Sequence, residues 1–284
     1  MSEQTVSIAN LYVHPVKSCA RIALDSALVT ETGLEWDRQW MVVDEQGEFV
    51  SQREVPRLAL VRPTLRASDL VLRAPGMLAL HLALDVIESE TTVQVWNDRV
   101  HAGDMGDLAA QWFSDFLGRR VRLARFDPEV QRVSDSKWTG DTRAFTAFAD
   151  AFALLVVSSA SMAELNRRLA ARGAAAVSSD RFRPNLVLDG LGTHEEDWID
   201  RITFDSADGP LVLRLVKPCV RCSIPDVDPQ RGELDHAVSA ELAAYRADAR
   251  MNGQITFGMN AIVEQGIDCW LHAGATGRAT VRFD

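Results

Sequence analysis

Cys219-Val220-Arg221-Cys222 places two of the chain's four cysteines in one short stretch, directly after the alternating run 211–216. That run reads as a strand, so chemistry is expected where it ends. A structural zinc site would need four ligands. Cys19 and Cys269 are single and distant, and no His-x3-5-His completes a set. A thioredoxin-like dithiol belongs on a strand-to-helix turn, whereas Pro225 and Pro229 forbid an immediate helix. Two readings stay open: a pair of packed thiols, or one thiolate that ligates a soft metal. Lys217 and Arg221 favour the second, because nearby positive charge stabilises a thiolate. Asp226 and Asp228 are candidates for handling protons beside it, against the plainer reading of turn residues next to prolines.

Two other stretches carry binding chemistry. Ser158-Ser159-Ala160-Ser161 precedes a helical pattern over 162–172, and Ser161 with Glu164 matches a capping box. Free amides and hydroxyls there suit an anion, although ordinary capping explains them equally. Asp180-Arg181-Phe182-Arg183-Pro184-Asn185 sets two arginines around an aromatic ring, with a proline to fix the backbone. That combination suits a phosphate and a heteroaromatic ring. The acidic stretch 194–198 has no metal triad, and the chain has neither a Gly-x-Ser-x-Gly elbow nor a Gly-rich phosphate loop.

The elements that must position these residues are mostly strands. Residues 6–13, 21–29 and 40–43 read as strands, and Asp44-Glu45-Gln46-Gly47 reads as a hairpin turn. Short apolar runs then recur up to residue 96 and predict a barrel or sandwich. Residues 107–117 carry apolar positions at helical spacing and Gly118 as a C-cap. A strand over 121–126 precedes the polar, irregular stretch 127–143, taken as a link in which Trp138 has no evident partner. A buried strand over 152–157, a strand over 186–188, a helix over 238–250 and strands over 257–263 and 281–283 follow.

The chain has 284 residues, 47% of them hydrophobic, which is enough for two domains with real cores. A net charge of −10 argues against a nucleic-acid partner but not against a small anion held by a local cluster of arginines. No signal-peptide pattern or membrane-length apolar run is present, and four scattered cysteines suit thiols in a reducing compartment. The expectation is a soluble, cytoplasmic protein without a membrane partner.

The order of several pieces resembles the MOSC superfamily, in particular two-part proteins similar to mitochondrial amidoxime reducing component and YcbX-like proteins. The pieces are His14-Pro15-Val16-Lys17-Ser18-Cys19, Trp36-Asp37-Arg38-Gln39-Trp40, Arg53 with Pro56-Arg57, the helix start after Ser158, and Arg181-Phe182-Arg183-Pro184-Asn185. Cys219-Val220-Arg221-Cys222 with Val227-Asp228-Pro229, and Phe257-Gly258, complete the set. The resemblance implies an α+β, predominantly β fold: a MOSC-type β-barrel domain with flanking helices over 144–284, a linker over 127–143 and an N-terminal β-rich domain over 1–126.

It further implies a molybdenum cofactor (Mo-molybdopterin) lying between the two halves, with Cys222 as the metal ligand and catalytic residue and Cys219 a packed neighbour. Lys17, Ser18, Arg38, Ser159, Arg183, Asn185, Val220, Arg221 and Asn260 would surround the pterin and its phosphate. Asn260 stands where the mitochondrial members carry tyrosine. The implied activity is reduction of N-hydroxylated compounds, N–OH to N–H, by oxygen-atom transfer. The sequence shows no ferredoxin pattern of Cys-x4-Cys-x2-Cys, so electrons would come from a separate flavoprotein or ferredoxin-like donor. The alternative is a non-catalytic carrier of the cofactor or of sulfur.

Overall fold

The computed structural model describes residues 3–282. Seven strands close into a barrel: Leu154–Ser158, Leu186–Asp189, Glu3–Val13, Thr276–Val281, Ile199–Ser206, Gly209–Val220 and Gln254–Gln265, which pairs back with Leu154–Ser158. Only the seam between Leu154–Ser158 and Leu186–Asp189 is parallel. Alternation places Leu211, Leu213 and Leu215 inward, where they meet Ile8, Ile202, Phe204, Met259 and Ala261 in one buried core. Outside the barrel, helices Ser159–Ala171 and Ala237–Ala243 bury Met162, Leu165, Leu169, Val238 and Leu242 against Phe182 and Phe257.

A second body holds a four-stranded sheet in the order Trp40–Val43, Arg122–Phe126, Asp98–Asp104 and Ser89–Val95, with a three-stranded sheet over Arg62–Leu65, Asp69–Arg73 and Leu80–Ala83. Helix Gly106–Leu117 closes its core with Phe113 and Phe116 and ends at Gly118, whose φ of 70° takes the left-handed cap expected of it. The fold is thus predominantly β, with a barrel, flanking helices and an N-terminal β-rich part. The first strand, Glu3–Val13, belongs to the barrel, so the chain before residue 126 is shared between the two bodies. The stretch 127–143 bends back through a single helical turn, Ser136–Thr139, and Trp138 packs beside Phe152, Val216 and Ile262.

Several local expectations change. The strand expected over 211–216 runs on to Val220 despite Pro218, because register shifts at Leu215/Lys217 and Pro218/Val220 bulge it there. After it, Ile224–Asp226 forms a single 3-10 turn that accepts Pro225 in its first positions. The helix expected from 162 starts at Ser159. Its cap is Ser158, whose hydroxyl accepts from the Ser161 amide at 3.0 Å. Glu164 turns away from the cap to Arg167 and Arg168, at 2.8 and 2.6 Å, so no capping box forms. The helix expected over 238–250 stops at Ala243, because Arg246 is drawn to Asp197 at 2.6 Å and Ala247–Asp248 pairs with Gln254–Gln265. The last strand reaches Val281; Phe283 lies outside the described residues.

Candidate functional site

One cavity lies where the two bodies meet. The bulged end of Gly209–Val220 brings Cys219, Val220, Arg221 and Cys222 to it, and Asn260 joins from the neighbouring strand. Lys17, Ser18 and Arg38 enter from the N-terminal part, and Arg183 and Asn185 from the turn before Leu186–Asp189. Of the residues expected around a ligand, Ser159 alone stands elsewhere. It occupies the first turn of Ser159–Ala171, and its hydroxyl donates to Asp189. The serine motif therefore supplies a helix start, not a cavity wall.

Three cavity residues hold left-handed backbone without being glycine: Ser18 at φ 68°, Arg38 at 49° and Arg183 at 59°. Such conformations cost roughly 1–3 kcal/mol each and persist where surrounding contacts impose them. Here the contacts are visible. Asn185 accepts from the Leu155 amide at 3.1 Å and donates to the Tyr12 carbonyl at 3.2 Å, stitching two barrel strands. Arg38 donates to Asn185 Oδ1 at 3.1 Å, to the Arg183 carbonyl at 3.0 Å and to Asp37 at 2.5 Å. Arg183 donates to the Cys19 carbonyl at 2.6 Å. Lys17 donates to the Phe148 carbonyl at 2.7 Å and to Asp150 at 2.5 Å.

The electrostatics follow from crowding cations in a desolvated seam. Burial, reinforced by Arg38, brings Arg183 down to about 10, and burial lowers Lys17 despite the opposing pull of Asp150. Burial would raise the Asp37 carboxyl, but the Arg38 guanidinium and hydrogen bonds from His14 outweigh it and hold it at about 2. Burial, with Arg38 and Arg183 close by, pushes His14 well below its ordinary value. Burial pushes the Cys19 thiol up to about 12, which makes it an inert core group.

The two central thiols are unequal. Cys222 is exposed, whereas Cys219 is half-buried and its sulfur accepts from Arg221 Nη1 at 2.9 Å. Arg221 Nη2 reaches the Phe182 carbonyl at 3.1 Å, so Cys219 helps to hold a cation over the cavity. Asp226 accepts from the Ser239 amide at 2.9 Å and Asp228 from the Gln230 amide at 2.8 Å; both are turn anchors outside the cavity wall. Sequence reasoning missed the stretch 149–155, Phe49 and Ser51 as wall residues, whereas Phe182, the aromatic expected between two arginines, is on the wall. Small residues interrupting 148–153 just before a buried strand were the available signal.

Arg183 Nη2 and Arg221 Nε are buried without hydrogen-bond partners. Unpaired buried guanidinium donors are costly and call for an acceptor. An anionic ligand that also presents a soft metal to Cys222 meets both demands, so these residues fit a phosphorylated pterin that carries molybdenum.

Comparison with known proteins shows the family. Residues 5–120 match the MOSC N-terminal beta barrel domain and residues 144–276 the MOSC domain. The chain is 33% identical to mitochondrial amidoxime reducing component 2 of Bos taurus, over 86% of this chain and 73% of that one. It is 33% identical to mitochondrial amidoxime-reducing component 1 of Mus musculus, over 86% and 72%. It is also 30% identical to molybdenum cofactor sulfurase of Homo sapiens, over 94% of this chain but 31% of that one.

Proposed function

We propose that this chain, which belongs to the MOSC family through both its N-terminal barrel domain and its MOSC domain, is a molybdenum-cofactor oxidoreductase that reduces N-hydroxylated compounds to their N–H counterparts. The observation that carries the reading is the exposed Cys222 thiol at the rim of a cavity whose cations come from opposite ends of the sequence and include buried, unpartnered guanidinium nitrogens. When bound, the cofactor would supply the two-electron, oxygen-accepting metal centre.

The chain's own residues do the rest. Cys222 offers a thiolate ligand at an open edge, where a small N–OH substrate can approach. Arg183 and Arg221 direct their free donors at the anionic part of the ligand, while Asp37 and Asn185 fix Arg38 beside them. Asn260 donates to the Lys217 carbonyl at 3.3 Å and keeps the bulged strand in register beside Cys219. Electrons would come from a separate flavoprotein or ferredoxin-like donor.

A second reading, a non-catalytic carrier of the cofactor or of sulfur, draws support from the exposure of Cys222 and from the similarity to the human sulfurase. The test is molybdenum analysis and pterin fluorescence of wild type beside Cys222→Ala and Cys219→Ala, with turnover of benzamidoxime by a reduced artificial donor. Wild type from a cofactor-producing host should hold both metal and pterin and reduce the substrate, and Cys222→Ala should lose the metal. Cofactor without turnover selects the carrier. A wild type that holds neither molybdenum nor pterin ends the oxidoreductase reading and the cofactor-carrier reading alike.

A further inference from the structure

The wall residues that sequence reasoning missed are shaped by a side chain outside the cavity. Arg132, 8% exposed, lies in the stretch between the two matched domains. Its Nε is fixed by Asp98 at 2.8 Å. Its Nη1 donates to the carbonyls of Ala147, at 3.0 Å, and Ala149, and its Nη2 to that of Asp150 at 2.8 Å. Ser134 continues the row, its hydroxyl donating to the Ala151 carbonyl at 2.8 Å.

No peptide bond in the described chain is cis, so each amide points opposite to the carbonyl of its own peptide unit. Drawing the carbonyls of Ala149, Asp150 and Ala151 to one side therefore sends the amides of Asp150, Ala151 and Phe152 to the other. All three residues line the cavity, and among the described residues none of these amides has an acceptor. Asp150 and Ala151 are exposed and Phe152 is buried, so these amides look into an open cavity, and several aimed the same way form an anion-binding concavity. The carboxylate carried by this stretch is already engaged: Asp150 Oδ1 accepts from Lys17 at 2.5 Å and from Trp96 Nε1 at 3.1 Å.

We infer that Arg132 is a positioning residue whose guanidinium turns these three amides into a seat for the ligand's phosphate group. The inference rests on the reading that the cavity takes a phosphorylated pterin. A planar, multi-donor cation is required because three carbonyls must be held at once, which a lysine ammonium cannot do with the same geometry. Arg132 never touches the ligand; it acts through the peptide units.

The experiment uses the full chain made in a host unable to synthesise the cofactor. It is titrated by fluorescence with the phosphorylated pterin obtained by oxidising molybdopterin, and with the same pterin after phosphatase treatment. Wild type should favour the phosphorylated form by roughly tenfold or more, the worth of a charged hydrogen-bond set. Arg132→Lys and Arg132→Ala should lose that preference yet bind the dephosphorylated pterin as wild type does. Millimolar methylguanidinium should restore the preference in Arg132→Ala. If Arg132→Ala fails to fold, Arg132→Lys at a wild-type melting temperature carries the test. Equal wild-type affinity for the two pterins overturns the phosphate seat while leaving the cofactor reading intact. Variants that keep the preference overturn the role of Arg132, as does a folded Arg132→Lys that loses both ligands equally. A wild type that binds neither pterin sinks the cofactor reading and this inference together.

Discussion

Asp37→Asn removes the charge that allows Arg38 to sit in the seam. Asp37 is 2% exposed, so solvent screening takes little away from the pair. Its carboxyl accepts from the His14 amide at 2.7 Å and from Arg38 at 2.5 Å. Folding lowers its pKa from 3.8 to about 2, equivalent to roughly 2 kcal/mol of stability at neutral pH. The substitution also leaves Arg38 buried without its counter-charge, so the expected loss is about 3 kcal/mol. For a carboxyl whose folded pKa is depressed, the contribution is present above the unfolded value and disappears as pH falls through the folded one. Asp37→Asn should therefore be clearly less stable than wild type at pH 7, with the gap closing between pH 3.8 and 2. Urea unfolding across that range measures it. A loss below about 0.5 kcal/mol at pH 7, the scatter of an ordinary surface change, would refute the argument, as would a gap that ignores pH.

His14 gives the opposite end of the acid limb. Its pKa is lowered on folding, so the unfolded chain takes up a proton near 6.5 that the folded chain refuses, and stability falls as pH drops below that value. The slope of unfolding free energy between pH 6.5 and 5 should be shallower in His14→Gln, by at most about 1.4 kcal/mol per pH unit. Gly258→Ala puts a Cβ 2.7 Å from the Val156 carbonyl oxygen at φ +76°, on the seam that closes the barrel. A cost of about 3 kcal/mol is expected, read as a melting temperature roughly 6 °C lower or more. Arg221→Lys keeps the charge but loses the fork that spans Cys219 and Phe182, so pterin retained through purification should fall roughly tenfold at an unchanged melting temperature.

The sequence made the barrel strands, the helix ending at Gly118 and most of the cavity's cations legible, because each depends on local pattern or on a spaced motif. Ser159 misled because a helix start and an anion site use the same residue types, and here Ser158 and Asp189 take up the hydroxyls locally. Cys219, expected as a packed neighbour, does pack against the core around Phe182 and Phe257; that its sulfur also accepts from Arg221 is nothing Cys-x-x-Cys spacing reveals. The stretch 149–152 left only a faint signal, its small residues, for a deeper reason. Its contribution is made by backbone amides, and the side chain that orients them stands well upstream in the chain.

The barrel's membership also dictates an order of events during synthesis. Glu3–Val13 lies between Leu186–Asp189 and Thr276–Val281, so this strand must wait for two long-range partners that are made well after it. Such distant pairing makes closure slow, and apart from its short local pairing with Ile22–Leu24 the strand keeps open edges until those partners arrive. The second body, built from strands between 40 and 126, can condense earlier. Nascent chains stalled before residue 276 should therefore carry a folded middle and a sticky beginning, the state most in need of a chaperone.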